Sequence, residues 1–201
     1  MAVELEYKLQ LASPQQMEEI LSSREVLALL QEPVRELPMK TTYYDNKEKT
    51  FTALRWTLRH RLEGSESVVC LKTPTGLSHG RNEWQVCAPE LNEEAICSLI
   101  DSGAPEELRL YCTLSPVEPI CGARFLRRCA MMIFSDGSRA ELALDKGEVF
   151  GPKGTLPILE LELELYEGAP TQMLCFAQLL CKTYGLKEQP MSKFARARTL
   201  R

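Results

Sequence analysis

The chain of 201 residues is 44% hydrophobic, enough for one substantial core, and nothing in it demands a second, so residues 1–201 are expected to form a single domain. A net charge of -4 gives no case for bulk affinity for nucleic acid, so any basic site has to be local. No run approaches the roughly twenty apolar residues of a membrane span, and MAVELEYKLQ has no cationic segment leading into an apolar stretch; a cytoplasmic protein with no membrane partner is expected.

Residues 2–11 read as a strand in which Glu4, Glu6 and Lys8 stand two apart, all on one face, with leucines on the other. Ser13 and Pro14 then supply a cap and first position for a helix over 14–30, striped by Met17, Ile20, Leu21, Leu27 and Leu30. Alternation returns at 40–45, where TTYYDN ends in an Asp45–Asn46 turn signal. In the strand predicted over 53–63, Arg55, Thr57, Arg59, Arg61 and Glu63 share a face against Leu54, Trp56, Leu58, His60 and Leu62. Strands at 67–73 and 81–88 follow, the first carrying Lys72 after VVCL and the second alternating Arg81 and Glu83.

Asn92 caps a helix that ends near Gly103, and another starts after Pro105. Three further strands are expected at 124–134, 139–146 and 157–167, the last placing Glu160, Glu162 and Glu164 on one face. A helix runs from Pro170 to its stop at Gly185, and a short terminal one lies within 191–200. Gly64, the Pro74–Gly76 segment, Pro89, Asp136–Gly137, Gly147 and the Gly151–Gly154 stretch read as turns, so hairpins and antiparallel pairing dominate.

Nearly every strand therefore has a charged face and an apolar one. Amphipathic helices packed on the apolar faces would turn the charged faces inward, and the consistent geometry is an α+β protein built on a closed eight-stranded antiparallel β-barrel with helices outside. Like charges lining such a lumen repel, and unpaired desolvated ions cost several kcal/mol each. A compact polyphosphate with divalent cations resolves this: arginine and lysine take phosphate oxygens, carboxylates take the metal. The eight cysteines form no CxxC pair and read as small core residues, and His60 and His79 are too few and too far apart for a histidine metal site.

The ExExK of Glu4, Glu6 and Lys8, TTYYDN, LRHRLEG, VCLKTP, RNEWQV, ELALDKGEV, ILELELEL and the SKFARA tail, in this order, resemble the CYTH superfamily of triphosphate tunnel metalloenzymes along essentially the whole chain. The resemblance implies the barrel fold and a ligand bearing a triphosphate. It also implies that Glu4, Glu6, Asp145, Glu160 and Glu162 bind metal, with Mg²⁺ or Mn²⁺, two ions, as cofactor. Lys8, Arg59, Arg61, Lys72, Arg127 and Lys193 correspond to the phosphate clamp, with Arg124 and Arg128 as alternative alignments for Arg127. Arg81 and Glu83 fit either the lumen or an outer ion pair, and Glu141 and Glu164 point inward by parity near strand ends. Tyr44 and Asp45 fit either the site or a turn, and His60 fits a packed or outward position.

The expected activity is metal-dependent hydrolysis of the terminal phosphoanhydride of inorganic triphosphate, or of a related organic triphosphate, with Lys8, Glu6 and Glu162 as catalytic candidates. Lys8 or a free carboxylate would receive the proton of the attacking water, and the sequence leaves that choice open. Trp84, Tyr43 and Tyr44 would stack on a base only if they lie at a tunnel mouth. The alternatives are an adenylate cyclase of the same fold, a non-catalytic polyphosphate or nucleotide sensor, and a barrel whose charges simply pair internally.

Overall fold

Strand β1 (Ala2–Gln10) pairs antiparallel with β8 (Gly154–Glu167) on one side and with β5 (Gly80–Cys87) on the other, and this second pairing closes the sheet. Between them run β2 (Arg35–Asp45), β3 (Thr57–Glu63), β4 (Glu66–Pro74), β6 (Glu118–Ile133) and β7 (Arg139–Gly151), in the order β5-β4-β3-β2-β6-β7-β8-β1 with every neighbour antiparallel. The barrel thus has eight strands, and a two-residue β9 (Lys187–Glu188) extends β1 beyond β5. The computed structural model describes residues 2–75 and 80–200; Gly76 and His79, which figure in the sequence reading, lie outside the described residues.

Alternation along the strands decides which face is wet. In β8, Leu161 and Leu163 are fully buried toward outer helices, while Glu160 and Glu162 point into the barrel. Outside, α1 (Pro14–Leu21), α2 (Arg24–Leu27) and α6 (Thr171–Tyr184) press Met17, Ile20, Val26, Met173 and Leu180 onto Leu9, Leu142, Leu144 and Leu161. On the opposite flank α3 (Thr50–Ala53), α4 (Glu93–Asp101) and α5 (Glu107–Leu114) cover Leu58, Val69, Leu71 and Trp84. The last helix, α7 (Lys193–Arg198), packs Phe194 and Ala197 against Tyr43, Phe125, Val149 and Ile158. Phe125 shares the face of Arg127, and Ile158 that of Glu160, so α7 covers an apolar part of the barrel interior.

Local chemistry accounts for the boundaries. Ser13 Oγ accepts from Gln16 N at 3.2 Å and Asn92 Oδ1 from Ala95 N at 2.9 Å, starting α1 and α4. The helix predicted over 14–30 is broken at Ser22–Ser23, because Ser22 Oγ bonds back to Glu18 O at 2.8 Å and Ser23 caps a new helix at Val26 N. The strand predicted from residue 53 begins instead at Thr57. Asp45, 1% exposed, accepts from Phe51 N at 3.1 Å and Thr52 N at 3.2 Å and so anchors α3 in the intervening segment. Gly147 does not end a strand: β7 continues through it to Gly151, and a Cβ there would lie 2.2 Å from Arg124 O, so glycine lets β6 and β7 approach closely. Strands β2 and β6 likewise start earlier than their alternation suggests, at Arg35 and Glu118.

Candidate active site

A cavity of about 800 Å³ occupies the barrel, lined from β1 by Glu4, Glu6 and Lys8, from β3 by Arg59 and Arg61, and from β4 and β5 by Lys72, Arg81 and Glu83. Arg127, Glu162, Glu164 and Lys193 complete it from β6, β8 and α7. Asp145 and Glu160, both fully buried, stand behind this lining, in contact with Lys193.

On the β1–β5 side, register does the positioning: Lys72 lies opposite Glu83 and Glu4 opposite Arg81. Lys72 bonds to Glu4 and reaches Glu83 Oε2 at 3.4 Å. Arg59 Nη2 donates to Glu83 Oε1 at 3.2 Å, and Cys70 Sγ donates to the same oxygen at 3.0 Å. Burial pushes Glu83 up, but Lys72 and Arg59 outweigh it and hold the carboxyl at about 2. Lys8 Nζ sits 2.6 Å from Glu6 Oε2, and Arg61 Nη1 donates to Glu63 Oε1 at 2.9 Å. The Nε groups of Arg59 and Arg61 are buried without an acceptor, donors for which an oxyanion would supply one.

On the β6–β8 side, Arg127 grips Asp145 through Nε to Oδ1 at 2.8 Å and Nη2 to Oδ2 at 2.7 Å, and meets Glu162 Oε2 at 2.5 Å. Lys193 Nζ is 2.7 Å from both Asp145 and Glu162 and also bonds Glu160, which Arg196 bonds as well. Of the three arginines of β6, Arg127 lines the cavity, whereas Arg124 pairs outside with Glu148 and Arg128 with Glu18. Burial opposes ionisation of Glu162, yet Lys193, Arg127 and Lys8 hold it well below the usual carboxylate range.

Two sets of three carboxylates have oxygens within 4.8 Å of one another: Glu4, Glu83 and Glu164; and Asp145, Glu160 and Glu162. They differ in charge balance. Lys193, Arg127 and Arg196 match the second set one for one. In the first, Glu164 has no such partner among the described residues, and burial together with Glu4 and Glu6 pushes it up to about 8. Glu6 is raised too, first by burial and then by Glu162. Hard oxygen donors crowded in excess of their cations suit Mg²⁺ or Mn²⁺, and the first set meets that condition as it stands. The second would have to exchange Lys193 for the metal.

The remaining candidates separate cleanly. His60 Nε2 pairs with Ser67 Oγ at 2.7 Å on the outer side, and Asp45 serves the turn. Trp84 and Tyr44 pack in the outer core, whereas Tyr43 lines the cavity with its ring 4.9 Å from Phe194. Glu83 proves as central as any residue named with the clamp, and strand parity with Arg81 was its only signal. Cys70, read as a core residue, faces inward on β4 beside it. The eight cysteines are free thiols.

The CYTH domain model matches residues 2–197. Among solved structures, a Hippeastrum protein named as an adenylyl cyclase, with a dominant triphosphatase activity, aligns over 99% of this chain and 96% of its own at 18% identity with a TM-score of 0.60. A Pyrococcus horikoshii protein aligns over 98% and 99% at 19% identity and a TM-score of 0.59. A Bacillus halodurans protein named as an adenylate cyclase aligns over 96% of each chain at 16% identity and a TM-score of 0.55. At these identities the likeness shows a shared fold.

Proposed function

Since the chain belongs to the CYTH family, we propose that it is a metal-dependent hydrolase of the terminal phosphoanhydride of inorganic triphosphate or a related organic triphosphate. The observation that carries this reading is the meeting, in one cavity, of Arg59, Arg61, Lys72, Arg127 and Lys193 with a carboxylate trio short of cations. The dominant triphosphatase activity of the Hippeastrum relative supports it.

In this reading Glu4, Glu83 and Glu164, with Glu6 beside them, hold one ion, and Glu162 with Asp145 and Glu160 are the candidates for a second. A bound Mg²⁺ or Mn²⁺ would neutralise phosphate oxygens and lower the pKa of a coordinated water. Arg59 and Arg61 turn their free Nε donors to the phosphates, and Lys72 and Arg127 place fixed positive charge where the leaving oxygen becomes negative. Water attacks the terminal phosphorus, the bridging P–O bond breaks, and diphosphate or a diphosphate-bearing product leaves. Burial lowers the Lys8 pKa, but Glu6 and Glu162 outweigh it and raise it overall, so Lys8 serves as an ammonium donor in the clamp. The proton released by water falls to Glu6, beside the trio, whose carboxyl is raised first by burial and then by Glu162.

Product release from inorganic triphosphate, thiamine triphosphate and ATP, with Mg²⁺ or Mn²⁺ and with chelator, tests the proposal. We expect turnover that chelation, Glu6→Gln or Lys72→Ala abolishes; turnover that survives all three refutes it. Cyclic AMP formed from ATP in the same assay would mark a cyclase, and tight triphosphate binding without product a sensor.

A further inference from the structure

Just beyond α3 the chain turns through a left-handed residue, the position that glycine ordinarily fills after a helix. Here it is Arg55, with φ 58°; its N–H donates to Thr52 O at 3.1 Å and the next N–H to Phe51 O at 2.8 Å. A Cβ strains this conformation, and nothing in the turn itself calls for one. The strain is held from two sides. Arg81 Nη2 donates to Arg55 O at 2.7 Å and to Lys72 O at 3.3 Å, and the adjoining Trp56 ring is fixed against Phe51 and Tyr111 at 6.3 and 5.8 Å.

Strained backbone that its surroundings overdetermine is commonly found at ligand clamps, and the side chain gives it a purpose here. Arg55 lines the cavity and is exposed, so its guanidinium stands where the cavity opens to solvent. The deeper cations Lys8, Arg59, Arg61, Lys72, Arg127 and Lys193 each bond a carboxylate, whereas Arg55 has no ion pair among the described residues. Arg81 beside it is spent on carbonyls; burial and Arg55 both push its pKa down, with Glu4 opposing. The opening therefore carries, in Arg55, a positive charge that no carboxylate among the described residues pairs with.

We propose that Arg55 is a specificity-determining residue, selecting triphosphates whose end at the cavity opening is anionic over those that carry a neutral or cationic group there. The inference rests on the hydrolase reading above and names the substrate end that this site discriminates. A terminal phosphate accepts a charge-assisted hydrogen bond from the guanidinium, a nucleoside gains no such contact, and a thiazolium cation is repelled. The expected order of kcat/KM is inorganic triphosphate, then ATP, then thiamine triphosphate.

Steady-state kinetics with these three substrates on wild type, Arg55→Gly and Arg55→Lys, alongside thermal unfolding, tests it. Glycine suits the left-handed backbone, so Tm should hold or rise. At the same time kcat/KM for inorganic triphosphate should fall about tenfold, mostly through KM, the scale of one hydrogen bond to a charged group. Thiamine triphosphate should be unaffected or improved, and lysine should restore much of the preference. Discrimination unchanged in Arg55→Gly, in an enzyme that turns over triphosphate, overturns the role of Arg55 and leaves the hydrolase reading standing. A preference lost together with Tm and not restored by lysine makes the residue merely structural and also overturns it. A wild type that neither binds nor hydrolyses any of the three sinks the hydrolase reading and this inference with it.

Discussion

Arg127 and Asp145 sit opposite each other on β6 and β7 and share two parallel hydrogen bonds, of 2.8 and 2.7 Å, inside the barrel. Asp145 is fully buried, and a planar fork is the donor geometry that satisfies both of its oxygens. Arg127→Ala removes one cation from a balanced set of three and leaves a desolvated carboxylate behind it. The expected loss of stability is about 3–5 kcal/mol, read as the shift in a urea unfolding curve, with Arg127→Lys intermediate because a point charge cannot reproduce the fork.

Glu83 should show its charge in acid. Its pKa is depressed in the folded protein to about 2 from an ordinary 4.5, so its contribution to stability is present above the unfolded value and is lost as pH falls from there toward 2. Glu83→Gln should therefore be less stable than wild type at pH 7, by about 2–3 kcal/mol since Arg59 and Lys72 lose a shared partner, and the gap should shrink in acid. A difference that stays constant from pH 7 to 3 would show that the carboxylate charge does not matter.

Glu164 predicts the opposite slope. Its folded pKa is raised from 4.5 to about 8, so the stability it contributes is present below the unfolded value and disappears as pH rises to 8. Metal-free protein should lose stability over that window. Mg²⁺ should oppose the loss, because a cation beside Glu4, Glu83 and Glu164 favours the ionised carboxyl and releases its proton. Glu164→Gln should flatten the slope. Thermal unfolding between pH 5 and 8, with and without Mg²⁺, measures both effects, and a metal-free profile flat across that range would contradict the assignment.

These pairings show how far the sequence could be read. Period-two charge put Glu4, Glu6 and Lys8 on one face, and with the arginines of β3 that was enough to argue a closed barrel with a wet interior, since a face is a local property of a strand. Which cation meets which carboxylate is not local. The partnership of Lys193 with Asp145 depends on α7 covering the barrel interior, and that of Arg59 with Glu83 on β3 and β5 flanking β4. The segment read as the start of β3 differs for another reason: its alternation continues through residues 53–56, but Asp45 and Asn46 cap the amides of residues 50–52 and start a helix that ends in a left-handed bend. Sequence periodicity carries no term for such side-chain caps.

Lys193 offers the sharpest test of the second acidic set. Its ammonium group contacts Asp145, Glu160 and Glu162 together, and with Arg196 on Glu160 it ties α7 to them. In Lys193→Ala, three buried carboxylates keep only Arg127 and Arg196, so the metal-free protein should be destabilised by about 3–5 kcal/mol. The excess negative charge then has the donor chemistry of a hard-cation site, and a divalent ion that binds only the folded state stabilises it as its concentration exceeds Kd. Titrating Mg²⁺ or Mn²⁺ should accordingly raise the Tm of Lys193→Ala more than that of wild type. Lys193→Gln should fall between them, because its amide can still donate one hydrogen bond. If the metal-induced shift is the same in all three, then this trio does not take an ion, and the metal chemistry of the cavity rests on Glu4, Glu83 and Glu164 alone.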